Sequence, residues 1–297
     1  MSTEHRIIAV VSVFHAPDDL RDRMLDVLDQ VDAIVLVDDG SHTLETIEFG
    51  DDRIHTVSSP TNRGIAAALN TAVNRARELG ATHVVTLDQD SALAPDHVAR
   101  LLATLERSQQ DGAIVAAAVP GVVGGAPILY LPDGQPFDPI QSGQVVPMAT
   151  FDRVGLFNED LFIDAVDSDF TVRAVTMGME FRADRGLHMA HELGELVPLK
   201  VFGRHLVLGG KPRHVLYHSP ARTYYMVRNS LWLAQTYRDQ ARDWTRLRNR
   251  KLWEMVIGGS LLAPDRAVQL RAIRWGRRDA RRGVLGRIPA EVQARLR

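Results

Sequence analysis

Four short aliphatic runs, rich in β-branched residues and separated by helical patterns or turns, constrain this chain more than any other feature. Arg6 to Phe14 (RIIAVVSVF) has no alternation of apolar and polar residues, so it reads as a strand covered on both faces. Ala33 to Val37 is a second such strand, Ile54 to Val57 a third and His83 to Leu87 a fourth. A helical pattern with Leu20, Met24, Leu25, Leu28 and Val31 separates the first two. Gly64 opens another helix, with Ile65, Leu69, Val73, Ala76 and Leu79 at the 3.6-residue period and Gly80 as its stop. Strands alternating with helices predict an α/β fold with a mostly parallel sheet, in which ligands gather beyond the carboxyl ends of the strands. Two of the strands end in acids: Asp38-Asp39-Gly40-Ser41 and Asp88-Gln89-Asp90-Ser91.

The rest of the chain breaks this rhythm. From Ile114 to about Pro147 the pattern is strand pieces and turns, followed by short helices at Thr150 to Val154 and from Asp167 to Met177. Gly112 to Pro132 is uncharged and long enough for a membrane span, but Pro120, Pro127 and three glycines divide it into strand, loop and strand. From Pro220 onward three helical segments follow: Ala221 to Tyr237, Ala241 to Leu262 and Pro264 to Arg282. We therefore expect an α/β domain over residues 1–220 and a helical, basic region over 221–297.

The formal charge of −2 is a cancellation. Residues 1–237 carry 19 Lys and Arg against 31 Asp and Glu, a net of −12, while residues 238–297 carry 16 against 6, a net of +10. The chain has no cysteine, which excludes disulfides, thiolate metal sites and cysteine nucleophiles, so any metal takes oxygen or histidine ligands. The N-terminus lacks a secretory apolar segment of sufficient length, and the expected location is cytoplasmic.

Neither a G-x-G-x-x-G nor a P-loop follows the first strand, so a diphosphate would be held by a cation on strand-end acids. Asp88 and Asp90, one residue apart at a strand end, suit Mg²⁺ or Mn²⁺; alternatively they belong to a turn and a helix N-cap ahead of Pro95. Asp39 reads as an acceptor for a base or ribose donor, or as part of a tight turn. Asn62-Arg63-Gly64, heading the second helix, reads as an anion site or as plain capping. Asp164, Asp167 and Asp169 crowd a helix start, where repulsion raises a carboxylate toward use as a base. Alternatively Asp167 or Ser168 caps that helix and Asp169 pairs with Arg173. His191 is a ligand or a bland histidine, with His188 as its competitor. Tyr225 and Asn229 share one helical face, and Tyr225 and Arg228 read either as packing or as contacts to a bound acceptor or diphosphate.

In order along the chain, the strand ending at Phe14, VDDGS (37–41), NRGIAAALN (62–70), LDQDS (87–91), Ser142-Gly143, VGLFNEDLFIDAVDSDFTVR (154–173), HELG (191–194) and RTYYMVRN (222–229) resemble family 2 glycosyltransferases of the GT-A fold, in particular their bacterial rhamnosyltransferase branch. The resemblance implies a Rossmann-like sheet flanked by helices and an inverting transfer from a nucleotide sugar, dTDP-L-rhamnose foremost. It assigns Phe14, Asp39, Arg63 and Asp88 to the donor, Asp90 and His191 to Mg²⁺ or Mn²⁺, and Asp167 to the general base. Ser142, Gly143, Asp169, Tyr225 and Arg228 fall to the acceptor or diphosphate. The acceptor it implies is a glycan or lipid-linked glycan of bacterial surface polysaccharide. A sugar-phosphate nucleotidyltransferase shares this order of elements, but would need a Gly-rich basic loop where His15-Ala-Pro-Asp-Asp19 stands. A non-catalytic nucleotide-sugar-binding scaffold is the other alternative. The basic tail, 264–297, reads as a surface for an anionic membrane, as a solvated helix, or as a partner for acidic surface in this chain or a second copy; nucleic acid is disfavoured by the acidic body.

Overall fold

The computed structural model describes residues 5–191, 195–198, 200–201, 204–205, 207–209, 211–212 and 214–296. Contacts divide the chain into two units, Met1–Glu159 with Val166–Glu192, and Asp160–Ala165 with Leu193–Arg297.

In the first unit the four aliphatic runs are strands: β1 (Ile7–Val13), β2 (Ala33–Asp38), β3 (Ile54–Ser58) and β4 (His83–Asp88). They pair in parallel in the order β3-β2-β1-β4. Their lack of alternation has the expected cause: Ile8, Val10, Ile34, Val35, Val84 and Val85 are all fully buried, because both faces of the sheet are covered. Burial of each such side chain contributes about 1.5–3 kcal/mol. The intervening helices are α1 (Leu20–Leu28) and α2 (Ile65–Glu78). Helix α2 buries Ala66, Leu69, Val73 and Ala76, the period the sequence predicts.

Next comes α3 (His97–Gln110), a helix that the sequence reading marks only by a cap ahead of Pro95, which packs Val98, Leu101 and Leu105 into the main core. The uncharged stretch becomes β5 (Val115–Val123) and β6 (Ala126–Pro127), and β7 (Gln144–Pro147) lies antiparallel between β4 and β5. Two short helices, α4 (Met148–Val154) and α5 (Val166–Thr176), lead to β8 (Glu180–Met189), which pairs in parallel with β5. The sheet is thus mixed but mostly parallel, flanked by helices. No helix among the described residues is long and apolar enough to cross a membrane.

One residue at the amino-terminal edge of this sheet should govern acid stability. The His83 imidazole is pushed down to about 4, first by burial and then by the charge of nearby His5, against the opposing pull of Glu106. The unfolded chain takes up this proton near pH 6.5 and the folded chain only near 4. The stability His83 contributes is therefore complete above pH 6.5 and lost between 6.5 and about 4. Allowing for its partial exposure to solvent, the loss is about 2 kcal/mol. Urea midpoints for the wild type and His83→Phe at pH 7 and 4.5 measure it: the variant should lose less stability, and parallel pH slopes would refute the assignment.

The second unit contains short antiparallel pairs, β9 (Glu195–Pro198) with β14 (His214–Tyr217), β10 (Lys200–Val201) with β11 (Arg204–His205), and β12 (Val207–Leu208) with β13 (Lys211–Pro212). Four helices follow: α6 (Pro220–Thr236), α7 (Arg242–Leu262), α8 (Arg266–Arg281) and α9 (Ala290–Arg295). The first three match the sequence reading to within two residues at every end. Pro220 opens α6 after Ser219, whose hydroxyl accepts the Arg222 N–H at 3.3 Å. Helix α8 packs on α6 through Gly276, where a Cβ would come within 2.7 Å of the Tyr224 carbonyl oxygen. Beside it the buried Tyr224 hydroxyl donates to Asp279 Oδ2 at 2.8 Å.

Candidate active site at the carboxyl edge of the sheet

The site grows from the ends of β1, β2 and β4, which lie side by side with Ser12 paired to both Val37 and Asp88. In Asp38-Asp39 the two carboxylates part company. Asp38 turns inward: its Oδ1 accepts the Ser41 N–H at 2.6 Å and hydroxyl at 2.8 Å, and its Oδ2 the Leu44 N–H at 3.1 Å. Burial alone would raise this carboxyl, but those hydrogen bonds outweigh it and hold it below the usual carboxylate range. Asp39 reaches the head of α2, where Oδ1 accepts the Arg63 N–H at 2.7 Å and Oδ2 the Gly64 N–H at 2.8 Å. Burial nevertheless raises its pKa. The anion expected at Asn62-Arg63-Gly64 is thus supplied by the protein itself. The Arg63 guanidinium, half exposed, pairs with Glu159 at 2.8 Å. Gly40 is required between these elements: its φ is +80°, and a Cβ there would strike the backbone of Thr61 and Asn62.

Asp88-Gln89-Asp90 divides in the same way. The Gln89 amide clamps the end of β1, accepting the Phe14 N–H at 2.9 Å and donating to the Phe14 carbonyl at 3.2 Å. The Phe14 ring is itself exposed and packs at a tilt against His15. Asp88 and Asp90 face His191 instead, with Asp88 Oδ2 4.0 Å from Nε2 and Asp90 Oδ1 3.6 Å from Nδ1. His191 arrives from a hundred residues downstream because β8 runs beside β5 and Ala190 then bridges Ala92. One ligand atom from each of Asp88, Asp90 and His191 lies within 4.8 Å of the others. Of the HELG stretch, residues 192–194 lie outside the described residues.

A polar scaffold holds this group. Gln141 Nε2 donates to Asp88 Oδ1 at 2.5 Å, and the Gln141 carbonyl accepts from the Thr86 hydroxyl. The buried Ser142 hydroxyl accepts the Asp88 N–H at 3.0 Å and lies 2.7 Å from that of Ser91, which in turn is 3.2 Å from His191 Nδ1. Gly143, at φ +79°, donates its N–H to the Thr86 carbonyl and accepts from His97 Nε2. Ser142 therefore meets Asp88, and Gly143 meets Thr86 and His97, rather than open surface. Gln141 and Ser91 are two members of the site that the sequence does not single out. Ser91 is legible as the neighbour of Asp90, whereas nothing local marks Gln141, which arrives through the β4–β7 pairing.

Whether a divalent cation fits can be read from the donors. Asp90 Oδ1 is buried and has no hydrogen-bond partner, although its neighbours satisfy Asp88. Two carboxylates and an imidazole form a hard oxygen and nitrogen set suited to Mg²⁺ or Mn²⁺. The residues present fit such an ion.

Asp167 stands in the first turn of α5, half-buried, with Oδ1 accepting the Ser168 N–H at 2.8 Å. The expected crowding of three acids is relieved by cations. Asp169, 1% exposed, accepts from Arg173 Nε at 2.9 Å, and Arg173 also donates to the Val154 and Leu156 carbonyls. Asp169 is thus an internal brace, contrary to an acceptor contact. In the second unit Asp164 pairs with Arg222 at 3.2 Å. There too the expected contacts of Tyr225 and Arg228 need correction. Arg228 is fully buried and donates to the carbonyls of Gly286 and Leu161 and to Asn229 Oδ1. The buried Tyr225 hydroxyl accepts the Ile288 N–H at 2.6 Å. Both hold the helices to the 161–164 turn and are withdrawn from any ligand.

Residues 8–139 match the family model described as Glycosyl transferase family 2. The dTDP-rhamnosyl transferase RfbF of Shigella flexneri is 26% identical over 223 residues, covering 67% of this chain and 70% of that protein. Among solved structures, S. aureus TarS 1–349 superposes with a TM-score of 0.59 at 14% identity, covering 97% of this chain and 82% of that one. The mannosyltransferase PcManGT of Pyrobaculum calidifontis, solved with GDP-Man and Mn²⁺, gives 0.55 at 16% identity, covering 92% and 76%. These likenesses agree with the sheet and the helical C-terminal region: residues 8–139 match the glycosyl transferase family 2 model, and the chain is similar to a dTDP-rhamnosyl transferase.

Proposed function

We propose that the protein is a metal-dependent inverting glycosyltransferase that moves a sugar, L-rhamnose from dTDP-L-rhamnose in the first instance, onto a hydroxyl of a glycan or lipid-linked glycan. The observation that carries the reading is the gathering of Asp88, Asp90 and His191 around a buried carboxylate oxygen that accepts no hydrogen bond. Asp90 and His191 hold Mg²⁺ or Mn²⁺ with Asp88 beside them, and the ion when bound supplies charge neutralisation for the departing diphosphate. The scaffold of Gln141, Ser142 and Ser91 fixes these side chains before the donor arrives, so little reorganisation accompanies binding. Asp39 and the exposed edge at Phe14 flank the nucleotide, and Asp39, tied to the head of α2, offers its remaining lone pairs to a base or ribose donor.

Inversion is a single displacement. The acceptor oxygen bonds to the anomeric carbon while the bond from that carbon to the phosphate oxygen breaks, the nucleoside diphosphate leaves with the electron pair, and the acceptor proton passes to Asp167. Similarity to a dTDP-rhamnosyl transferase supports rhamnose as donor sugar; the GDP-Man complex of PcManGT supports a nucleotide sugar more generally. Incubation with Mn²⁺ or Mg²⁺ and dTDP-L-rhamnose, UDP-GlcNAc or GDP-mannose, scoring free nucleoside diphosphate, tests the proposal. Release of dTDP above the other diphosphates, abolished by chelation, is expected. Turnover of another donor alone would overturn the rhamnose assignment, and turnover indifferent to chelator the metal.

A further inference from the structure

The basic tail contains a surface that the transfer reaction does not use. Helix α8 buries Gln269, Ala272, Gly276, Asp279 and Ala280 along one stripe. The opposite face displays Arg266, Arg271, Arg274, Arg277, Arg281 and Arg282 to solvent. Among the described residues none of the six pairs with a carboxylate; the acid next to this face, Asp279, is buried and pairs with Arg278. A row about 22 Å long therefore carries one sign of charge, with no acid exposed within it. Leu270 lies on the same face, one turn from Arg266 and from Arg274, and is 51% exposed. Leu262, at the end of α7 just before α8, is 42% exposed.

We infer that this face docks on an anionic lipid surface. A folded protein partner would have to match the row with acids in register, whereas a leaflet offers phosphate at every position and accepts Leu262 and Leu270 at its boundary. Duplex nucleic acid also offers continuous phosphate, but it has no place for exposed leucines. Attachment is electrostatic, because the apolar stripe of α8 is already engaged with its own unit. Each arginine near an anionic leaflet is worth about a fivefold change in partition.

Co-sedimentation of the full chain with phosphatidylcholine vesicles, with and without about one third phosphatidylglycerol, tests this. The wild type should pellet with the anionic vesicles only and be released by about 0.5 M salt. The Arg274→Gln/Arg277→Gln/Arg281→Gln variant, whose changes are all at exposed positions, should partition about a hundredfold less at unchanged circular dichroism. Equal partition of the variant, failure of the wild type to pellet, or equal pelleting with neutral vesicles would each overturn the inference. So would pelleting without vesicles that the variant abolishes, which assigns the row to self-association, and duplex DNA binding as tight as vesicle binding at equal phosphate. The wild-type arms stand by themselves should the variant fold poorly.

Discussion

Replacing Asp167 by Asn should lower turnover about a thousandfold while leaving the affinity for the nucleotide sugar within about a factor of three. The size follows from the proton transfer, since a positioned base contributes about 10²–10⁴ to such a step and the neutral amide accepts no proton. The substitution is nearly isosteric, and the amide oxygen of Asn can still accept the Ser168 N–H as Asp167 Oδ1 does. The fold should therefore survive, and a lost rate will not reflect a lost helix. Asp169 is unsuited to act as the base because it is buried on Arg173, and Asp169→Asn should act through stability instead. The measurement pairs kcat with calorimetric donor affinity. Unchanged kcat refutes the base, and equal loss of donor affinity reassigns Asp167 to donor binding.

What the sequence makes legible follows from where side chains lie. β1, β2 and β4 can be found because strands buried on both faces are uninterrupted aliphatic runs. β8 cannot, because its segment EFRADRGLHM buries Phe181, Leu187 and Met189 but leaves charged residues between them, so no clean period survives. Helix α3 does have a signal, the spacing of Val98, Leu101 and Leu105, which the neighbouring acids overshadow. The acidic half of the site, Asp88 and Asp90, is local and visible as a motif. His191 comes through family resemblance, since its approach to Asp90 depends on β8 and the Ala92–Ala190 bridge. Tyr225 and Arg228 mislead for a different reason: a buried arginine that serves main-chain carbonyls has the same sequence signature as one that serves a ligand.

The Asp90 oxygen that accepts no hydrogen bond makes the second large effect a test of two opposite outcomes at once. A buried carboxylate oxygen without a hydrogen bond costs stability, and the neighbouring Asp88 carboxylate adds repulsion when no cation lies between them. Removing the group should therefore leave the metal-free protein as stable as the wild type or more so. If Asp90 is present to bind a cation, the same removal should abolish the response to Mn²⁺ and lower turnover about a thousandfold. Saturating Mn²⁺, at about a hundredfold excess over its Kd, should stabilise the wild type by about 2.7 kcal/mol and Asp90→Ala by almost nothing. Thermal denaturation of both proteins in chelator and in Mn²⁺, beside electron paramagnetic resonance of bound Mn²⁺, separates the terms without reference to activity. Gln141→Ala provides the contrast. It frees Asp88 Oδ1 but keeps all three ligands, and should weaken Mn²⁺ about tenfold to a hundredfold rather than eliminate it. An Asp90→Ala protein that is destabilised in chelator yet still gains stability from Mn²⁺ would show that the carboxylate braces the loop and that the cation binds elsewhere.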